Sequence, residues 1–461
     1  MNGKGWSAAE VRRVGAKVVD LIARYLEQLG DGPVWKPVPR PLVEAWQHAP
    51  LPTACQSSDD ILDAFARDIA PYPFGNGHPR FFGWVNSPPT EIGIFADALA
   101  AAMNPSVAGG DHAAVYVERQ VARWFAEMLG FPAGAMGLLV SGSSAAALTG
   151  LAVARLHACR RLGRDVREDG LQGVTLRVYA TAEAHSCHQK AVELLGLGRR
   201  AMRLVPSDTT LRARPDALES MIKDDLSAGH HAMAVIASAG TVNTGAIDPI
   251  EAMADICEKY GVWLHVDGAY GAPAVLTKAY AGALGAMGRA DSLAVDPHKW
   301  LSVPVENGLV LVRDPEIMRD TFSLVPPYLR TEDEPWLSEY GIQQTRGFRA
   351  LKTWMALRYH GVDGYAQRIA NDCALAARLA ELVRARPEIE LWEPTSLSIV
   401  CFRLQGTDER NREVLKNIQH GGKAFLSSTV LDGRFWLRAC FVNHLTTEAD
   451  VDLLVETVRT A

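Results

Sequence analysis

A layered α/β fold, built on a mainly parallel and doubly wound sheet, is what this sequence predicts. Three observations carry the prediction. Short β-rich apolar runs alternate with helical stretches between residues 86 and 360, the pattern of βαβ units with helices on both faces. Polar and reactive residues follow several of those runs, as at the carboxyl edge of an open sheet. The chain of 461 residues is 48% hydrophobic and 22% charged, ordinary for a globular protein with a sizeable core.

The first element is an amphipathic helix. Val11, Val14, Val18, Ile22, Tyr25 and Leu29 recur at steps of three or four and share one face. Pro33, Pro37, Pro39, Pro41, Pro50 and Pro52 follow as a stiff connector, so residues 1–85 read as a helical arm that packs on its own chain or on a partner. The large domain, 86–360, has strand candidates at Thr175–Ala180, Met202–Val205, Ala234–Ser238, Val262–Val266, Ser292–Val295 and Gly308–Val312. A small α+β domain, 361–461, opens on a helix near Gly364–Ala385 and continues with β-like runs Ser398–Phe402 and Phe435–Cys440.

Charge and composition exclude several classes. Forty-seven basic against 53 acidic residues leave a net charge of -6, which argues against a nucleic-acid partner. The five arginines from Arg155 to Arg167 read as the solvated end of a helix. Met128–Ala154 carries no charge and is long enough for a membrane span, but Pro132, five glycines and Ser141-Gly142-Ser143-Ser144 argue against one. Seven scattered cysteines without a CxxC suit reduced thiols in a cytoplasmic protein. Charges at Glu10, Arg12, Lys17 and Asp20 speak against a secretory leader.

The chemistry lies where the strand candidates end. Asp267 follows Val262–Val266, and Asp296-Pro297-His298-Lys299-Trp300 follows Ser292–Val295. Ala234–Ser238 leads into Ala239-Gly240-Thr241, and His185 lies just beyond Thr175–Ala180. Ser141-Gly142-Ser143-Ser144 opens the helical run Ala145–Leu156, and small residues at a helix start make an anion site. No dinucleotide fingerprint and no P-loop occur. His185-Ser186-Cys187-His188 holds ligand-type residues, but no second cluster completes a metal site, so no metal is expected. An acid, a lysine, an imidazole and an anion site together are the set that pyridoxal 5'-phosphate requires.

The same residues resemble a known family. Val266-Asp267-Gly268-Ala269-Tyr270, Asp296-Pro297-His298-Lys299-Trp300 and Ala184-His185 look like the fold-type I, group II pyridoxal-phosphate decarboxylases, most closely the aromatic-L-amino-acid decarboxylases. The likeness runs from about His78 to the C-terminus. It includes His78-Pro79-Arg80-Phe81-Phe82-Gly83-Trp84, residues 141–144 and Phe348-Arg349-Ala350-Leu351-Lys352. Pro-His-Lys-Trp is the specific motif; the serine-glycine run is not.

The resemblance implies a role for each residue. Lys299 carries the cofactor as a Schiff base until the substrate amine displaces it. Asp267 keeps the pyridine nitrogen protonated, since a nearby opposite charge favours the charged form. His185 stacks on the ring and bonds the substrate. Ser143 and Ser144 bind the phosphate, with Asp296 or His298 nearby. Thr241 and Ala269 line the cofactor, and Trp84 and Ser87 shape the substrate pocket. The family is homodimeric, with its active sites near the interface, which gives the arm a partner to clasp.

One departure bears on the product. The family's aromatic decarboxylases carry a loop tyrosine that protonates the substrate α-carbon. Counted back without gaps from Phe348, that position falls on Leu337, three residues before Tyr340. Either Tyr340 is the third catalytic residue beside Lys299 and His185, or the donor is missing and an aldehyde forms with ammonia and peroxide. The charged, poorly periodic stretch Arg330–Tyr340 reads as a lid. The expected function is decarboxylation of an L-amino acid, aromatic by preference, to the amine and carbon dioxide. The alternatives are an aldehyde synthase and a cofactor-binding protein without catalysis, the last opposed by intact Lys299, Asp267 and His185.

Overall fold

A computed structural model describes residues 5–324 and 334–461. A seven-stranded sheet forms its centre, in the order Met136–Val140, Gly308–Val312, Ser292–Val295, Trp263–Asp267, His231–Ser238, Leu176–Ala180, Met202–Leu204. Every neighbouring pair is parallel except those made by Gly308–Val312, which runs antiparallel to both flanking strands. The six strands expected from apolar runs are present with small shifts at their ends. Apart from the edge strand Met202–Leu204, where Leu204 is open to solvent, their residues are mostly buried, so they read as apolar runs.

The seventh strand, Met136–Val140, was hidden inside the uncharged stretch 128–154. That stretch is a strand, a turn and the start of the helix Ser143–Arg161, which buries Ala146, Leu151, Val153 and Leu156 against the sheet. No helix of the described residues is long and apolar enough to cross a membrane. Gly137 has a packing reason: a Cβ there would lie 2.5 Å from the Ala122 Cβ on the helix Ala113–Met128. The same helix fastens the strand through Glu118, whose Oε1 accepts the Leu139 N–H at 3.0 Å. Arg346 completes the clasp. Its guanidinium pairs with Glu118 and donates to the carbonyls of Leu139 at 2.6 Å and Val107 at 2.9 Å.

A second sheet orders Phe81–Phe82, Phe425–Leu431, Arg434–Cys440, Ile399–Leu404 and Ile389–Leu391. Its core gathers Phe82, Phe402, Leu426, Leu437, Phe441 and Leu454. Phe81 and Phe82, just before Trp84, therefore fasten this segment to the C-terminal sheet. The helical run Ala350–Arg384 breaks at Gly361, whose φ of 68° and ψ of 164° only glycine adopts readily. The expected helix Gly364–Ala385 is its second half.

The N-terminal helix spans Ala8–Glu27, capped by Ser7, which accepts the Glu10 N–H at 3.2 Å. Lys17 and Arg13 bind Asp59 of the helix Ser58–Ala64. Of its expected apolar face only Val14 is buried; Val11, Val18 and Tyr25 stay open to solvent.

Trp300, directly after Lys299, stacks on Tyr270 with centroids 4.8 Å apart and donates its indole N–H to Asp372 at 2.8 Å. Burial pushes the Asp372 carboxyl up to about 7, against the pull of that hydrogen bond. The folded chain thus holds a proton there that the unfolded chain, near 3.8, has released. Stability from this group is complete below about pH 4 and is lost as the pH rises through about 7. Asp372→Asn should therefore gain Tm over the wild type as pH climbs across that window. Parallel Tm curves for the two proteins would contradict the assignment.

Candidate active site

The site forms at the carboxyl ends of three adjacent strands, Ser292–Val295, Trp263–Asp267 and His231–Ser238. Asp267 closes the middle strand, and Asp296 begins the turn that follows its neighbour. The Asp296 N–H donates to the Ala269 carbonyl at 3.2 Å, so the two turns are knitted together. Lys299 Nζ reaches Asp296 Oδ2 at 2.9 Å. Burial alone would lower the lysine, but the carboxylates of Asp296 and Asp267 outweigh it and hold the ammonium above its ordinary value.

Asp267 accepts hydrogen bonds on both oxygens, from Ala269 N–H at 3.1 Å and from His188 Nε2 at 2.8 Å. Burial would raise its carboxyl, yet these bonds and the charge of Lys299 hold it well below the usual carboxylate range. It is an anion at neutral pH. His185 caps the helix Ser186–Leu194, its Nδ1 accepting the Cys187 N–H at 3.3 Å, and the residue as a whole stays partly open to solvent. Burial around the ring nitrogens lowers its pKa against the pull of Asp267, and Lys299 lowers it further.

At the other end, Gly142 precedes the first turn of the helix Ser143–Arg161, where amides point out along the helix axis. The Ser143 hydroxyl is buried without a partner. Ser144 is exposed and its hydroxyl meets Cys187. His298 closes this corner, its Cε1 standing 3.5 Å from where a Gly142 Cβ would be, and its Nδ1 bonds the Asn307 carbonyl at 2.6 Å. Pyridoxal phosphate fits these groups: a helix start with an idle hydroxyl for phosphate, an anion for a pyridinium and a lysine beside it.

A model of the pyridoxal-dependent decarboxylase conserved domain matches residues 43–405. This chain belongs to that family. It is 34% identical over 460 residues to the aromatic-L-amino-acid decarboxylase of Bacillus atrophaeus, covering 96% of this chain and 94% of that one. Oryza sativa TDC, solved with PLP and tryptamine, superposes with a TM-score of 0.92 at 29% identity, over 99% of this chain and 98% of that chain. Rhodiola rosea 4-hydroxyphenylacetaldehyde synthase superposes with a TM-score of 0.89 at 26% identity, over 98% of both chains. The protein is a pyridoxal-phosphate-dependent amino-acid decarboxylase of fold-type I.

In this decarboxylase the segment Trp84–Ser87 is tied to the site from both sides. Ser87 Oγ donates to the His298 carbonyl at 3.3 Å. The Trp84 carbonyl accepts from Arg438 Nη1 at 2.9 Å, and Arg438 Nε donates to Val242 and Asn243, the residues after Thr241. Thr241 itself is buried, its hydroxyl accepting the Ala246 N–H at 3.1 Å. Arg438 was missed because it sits inside the apolar run Phe435–Cys440. A buried charge within such a run is the signal that was there to read.

Tyr340 is not among the residues gathered here, and the charged groups around it are not those of the site. It belongs to the short 3₁₀ turn Leu337–Tyr340, and both Leu337 and Tyr340 are buried in the main core. The charged groups facing the Tyr340 phenol are Arg319, Glu316, Glu339 and Arg119. Of the expected lid, residues 330–333 lie outside the described residues. The ligand-type residues Cys187 and His188 do find a third, since their atoms and a carboxylate oxygen of Asp267 lie within 4.8 Å of one another. His188 and Asp267 already bond each other, and burial pushes the Cys187 thiol up to about 12, so it is no thiolate at neutral pH.

Proposed function

We propose that this decarboxylase acts on aromatic L-amino acids and releases the amine with carbon dioxide. The observation that carries the reading is Trp84. Its indole is 45% exposed and stacks on Phe74, centroids 5.6 Å apart and planes 14° from parallel, on the segment bound to the site at Ser87. Such a flat apolar shelf suits an aromatic side chain. The Bacillus and Oryza relatives support the same substrate class.

Bound pyridoxal phosphate supplies an electron sink for the substrate α-carbon. The chain's residues do the rest. Lys299 anchors the cofactor and, once freed, moves protons at Nζ, with Asp296 Oδ2 at 2.9 Å to take the first of them. Asp267 holds the proton on the pyridine nitrogen. His185 would stack on the cofactor's ring and hydrogen-bond the substrate. Ser143, Ser144 and His298 take the phosphate, while Asp296 Oδ2 is engaged by Lys299. Thr241 and Ala269 line the cofactor, and Trp84 with Ser87 borders the substrate side chain.

The same reading divides the chain into an arm at 1–85, a cofactor-binding domain at 86–360 and a small domain at 361–461. It also makes the enzyme a homodimer, supported by the open apolar face of the helix Ala8–Glu27. A cytoplasmic setting agrees with seven free thiols, five of them buried. Light scattering at micromolar concentration checks the dimer, with a monomer as the contrary result.

The burial of Leu337 and Tyr340 favours one second reading, an aldehyde synthase. That reaction consumes dioxygen and water and yields the aldehyde, carbon dioxide, ammonia and hydrogen peroxide. Incubating the holoenzyme with tryptophan, tyrosine, phenylalanine, dopa and glutamate, with and without oxygen, separates the two. Amine from an aromatic substrate, equal in both gas phases, is the expected outcome. Aldehyde and peroxide formed only with oxygen would establish the second reading, and turnover of glutamate alone would overturn the substrate class.

A further inference from the structure

The carboxylate at the heart of the site is held by a histidine that the decarboxylase reaction, as set out above, leaves unused. His188 lies on the first turn of the helix Ser186–Leu194 and is 1% exposed. Its Nε2 stands 2.8 Å from Asp267 Oδ2. Asp267 is an anion with no proton to give, so the hydrogen in this bond is on Nε2 and His188 is the donor. With Ala269 N–H on Oδ1, each carboxylate oxygen has one donor from the protein. Lone pairs on both remain for a further donor, and the torsion of the side chain is fixed from two directions.

A second layer fixes His188 in turn. Its ring meets His265 edge to face, centroids 5.6 Å apart and planes at 69°. His265 is fully buried, and burial pushes its pKa down to about 3, so it stands neutral against its neighbour. Trp263 Nε1–H donates to Ser292 Oγ at 2.8 Å, which leaves the serine hydrogen free for His265 Nδ1, also at 2.8 Å. The layer has no slack. A Cβ on Gly150, in the helix whose first turn offers the anion site, would lie 2.9 Å from Ser292 Oγ and 3.0 Å from His265 Nδ1. The phosphate end and the pyridine end of the site thus rest on one packed layer.

We propose that His188 is a positioning residue, which orients Asp267 toward the cofactor's pyridine nitrogen and keeps it anionic by donating Nε2–H to Oδ2. The assignment rests on reading Asp267 as the partner of that nitrogen. Without the donor, Asp267 keeps its burial and loses its main compensation, so its negative charge is held less firmly and the pyridine nitrogen loses its proton more easily. A hydrogen bond to a charged group of this kind is worth roughly a tenfold change in cofactor affinity.

The test uses the holoenzyme reconstituted with pyridoxal phosphate labelled with ¹⁵N in the ring, alongside titration of the apoenzyme for the cofactor Kd. His188→Leu should move the ring resonance toward that of an unprotonated pyridine and weaken cofactor binding by about tenfold. His188→Gln, which retains an N–H near the same place, should restore most of both. Asp267→Asn should shift the resonance further still. An unchanged resonance in His188→Leu, with a shifted one in Asp267→Asn, overturns the role of His188. Equal behaviour of the Leu and Gln variants assigns the effect to packing and also overturns it. No shift in Asp267→Asn overturns the reading of Asp267 instead. In the wild-type holoenzyme with ¹⁵N-labelled histidine, His188 Nε2 should resonate as a protonated nitrogen. An unprotonated Nε2 refutes the proposal even where a variant fails to fold.

Discussion

Replacing Lys299 by alanine should reduce turnover by roughly 10²–10⁴-fold, the range that one positioned proton-transferring side chain supplies. It should also remove the visible absorption of the enzyme-bound cofactor and let the cofactor dialyse away. Lys299 Nζ lies beside two carboxylates, Asp296 at 2.9 Å and Asp267 at the end of the next strand, and both favour its ammonium form. Binding of a protonated pyridine at Asp267 places a second cation there and weakens that carboxylate's hold on the lysine. With the cofactor bound, Asp296 Oδ2 would be the acceptor for the proton that Lys299 must give up. Lys299→Arg keeps the charge but cannot form the Schiff base, so it should be as inactive as the alanine variant. Wild-type absorption in Lys299→Ala would mean that another lysine anchors the cofactor. Unchanged circular dichroism in both variants ties the loss to chemistry and not to folding.

Glu118→Ala should lower global stability by about 3–5 kcal/mol, the usual consequence of stranding one member of a buried ion pair. Arg346 and Glu118 are both within 2% of complete burial. Removing the carboxylate leaves the guanidinium without its counter-charge and the Leu139 N–H without an acceptor. The damage reaches the site because Leu139 belongs to the strand that leads directly into Ser141–Ser144. Cofactor affinity should therefore fall together with the urea midpoint, although no atom of Glu118 touches the site. Glu118→Gln keeps an oxygen for Leu139 and should lose less. A Glu118→Leu, Arg346→Met double variant removes both charges and should recover part of the stability. A wild-type urea midpoint in Glu118→Ala would show that the pair is not what fastens this strand.

The legibility of the fold follows burial. Strands buried on both faces, such as Gly308–Val312 and Ser292–Val295, appear as clean apolar runs and were readable. Met136–Val140 was not, because a buried strand, a small-residue turn and a buried helix merge into one uncharged block. Phe425–Leu431 was missed for the opposite reason: Ser427, Ser428 and Thr429 interrupt it, and its burial is broken toward one end. The apolar stripe of the first helix is plain, but a stripe names no partner, and much of it is open to solvent.

The candidate site was readable where topology alone places a residue. Asp267, Asp296 and Lys299 follow strands that end at one edge, so their meeting needed only the sheet order. His188 and Arg438 depend on side-chain reach across elements, which spacing does not encode. His188 is a ligand-type residue in the sequence, but its partner, Asp267, lies 79 residues along the chain. Tyr340 shows the limit most clearly. The count from Phe348 puts the family's donor position on Leu337, with Tyr340 three residues on as the alternative, and packing buries both in the core.

The central claim, that the site around Lys299 removes the carboxyl group of an amino acid, is tested most directly with carboxyl-labelled substrate. Holoenzyme incubated with L-tryptophan, L-tyrosine or L-dopa carrying ¹³C at the carboxyl carbon should release labelled carbon dioxide at a rate that depends on added pyridoxal phosphate. Lys299→Ala should release it at least about a hundredfold more slowly. Substrate consumed with the label still in the organic product, as after transfer of the amino group or cleavage of the side chain, would contradict the account.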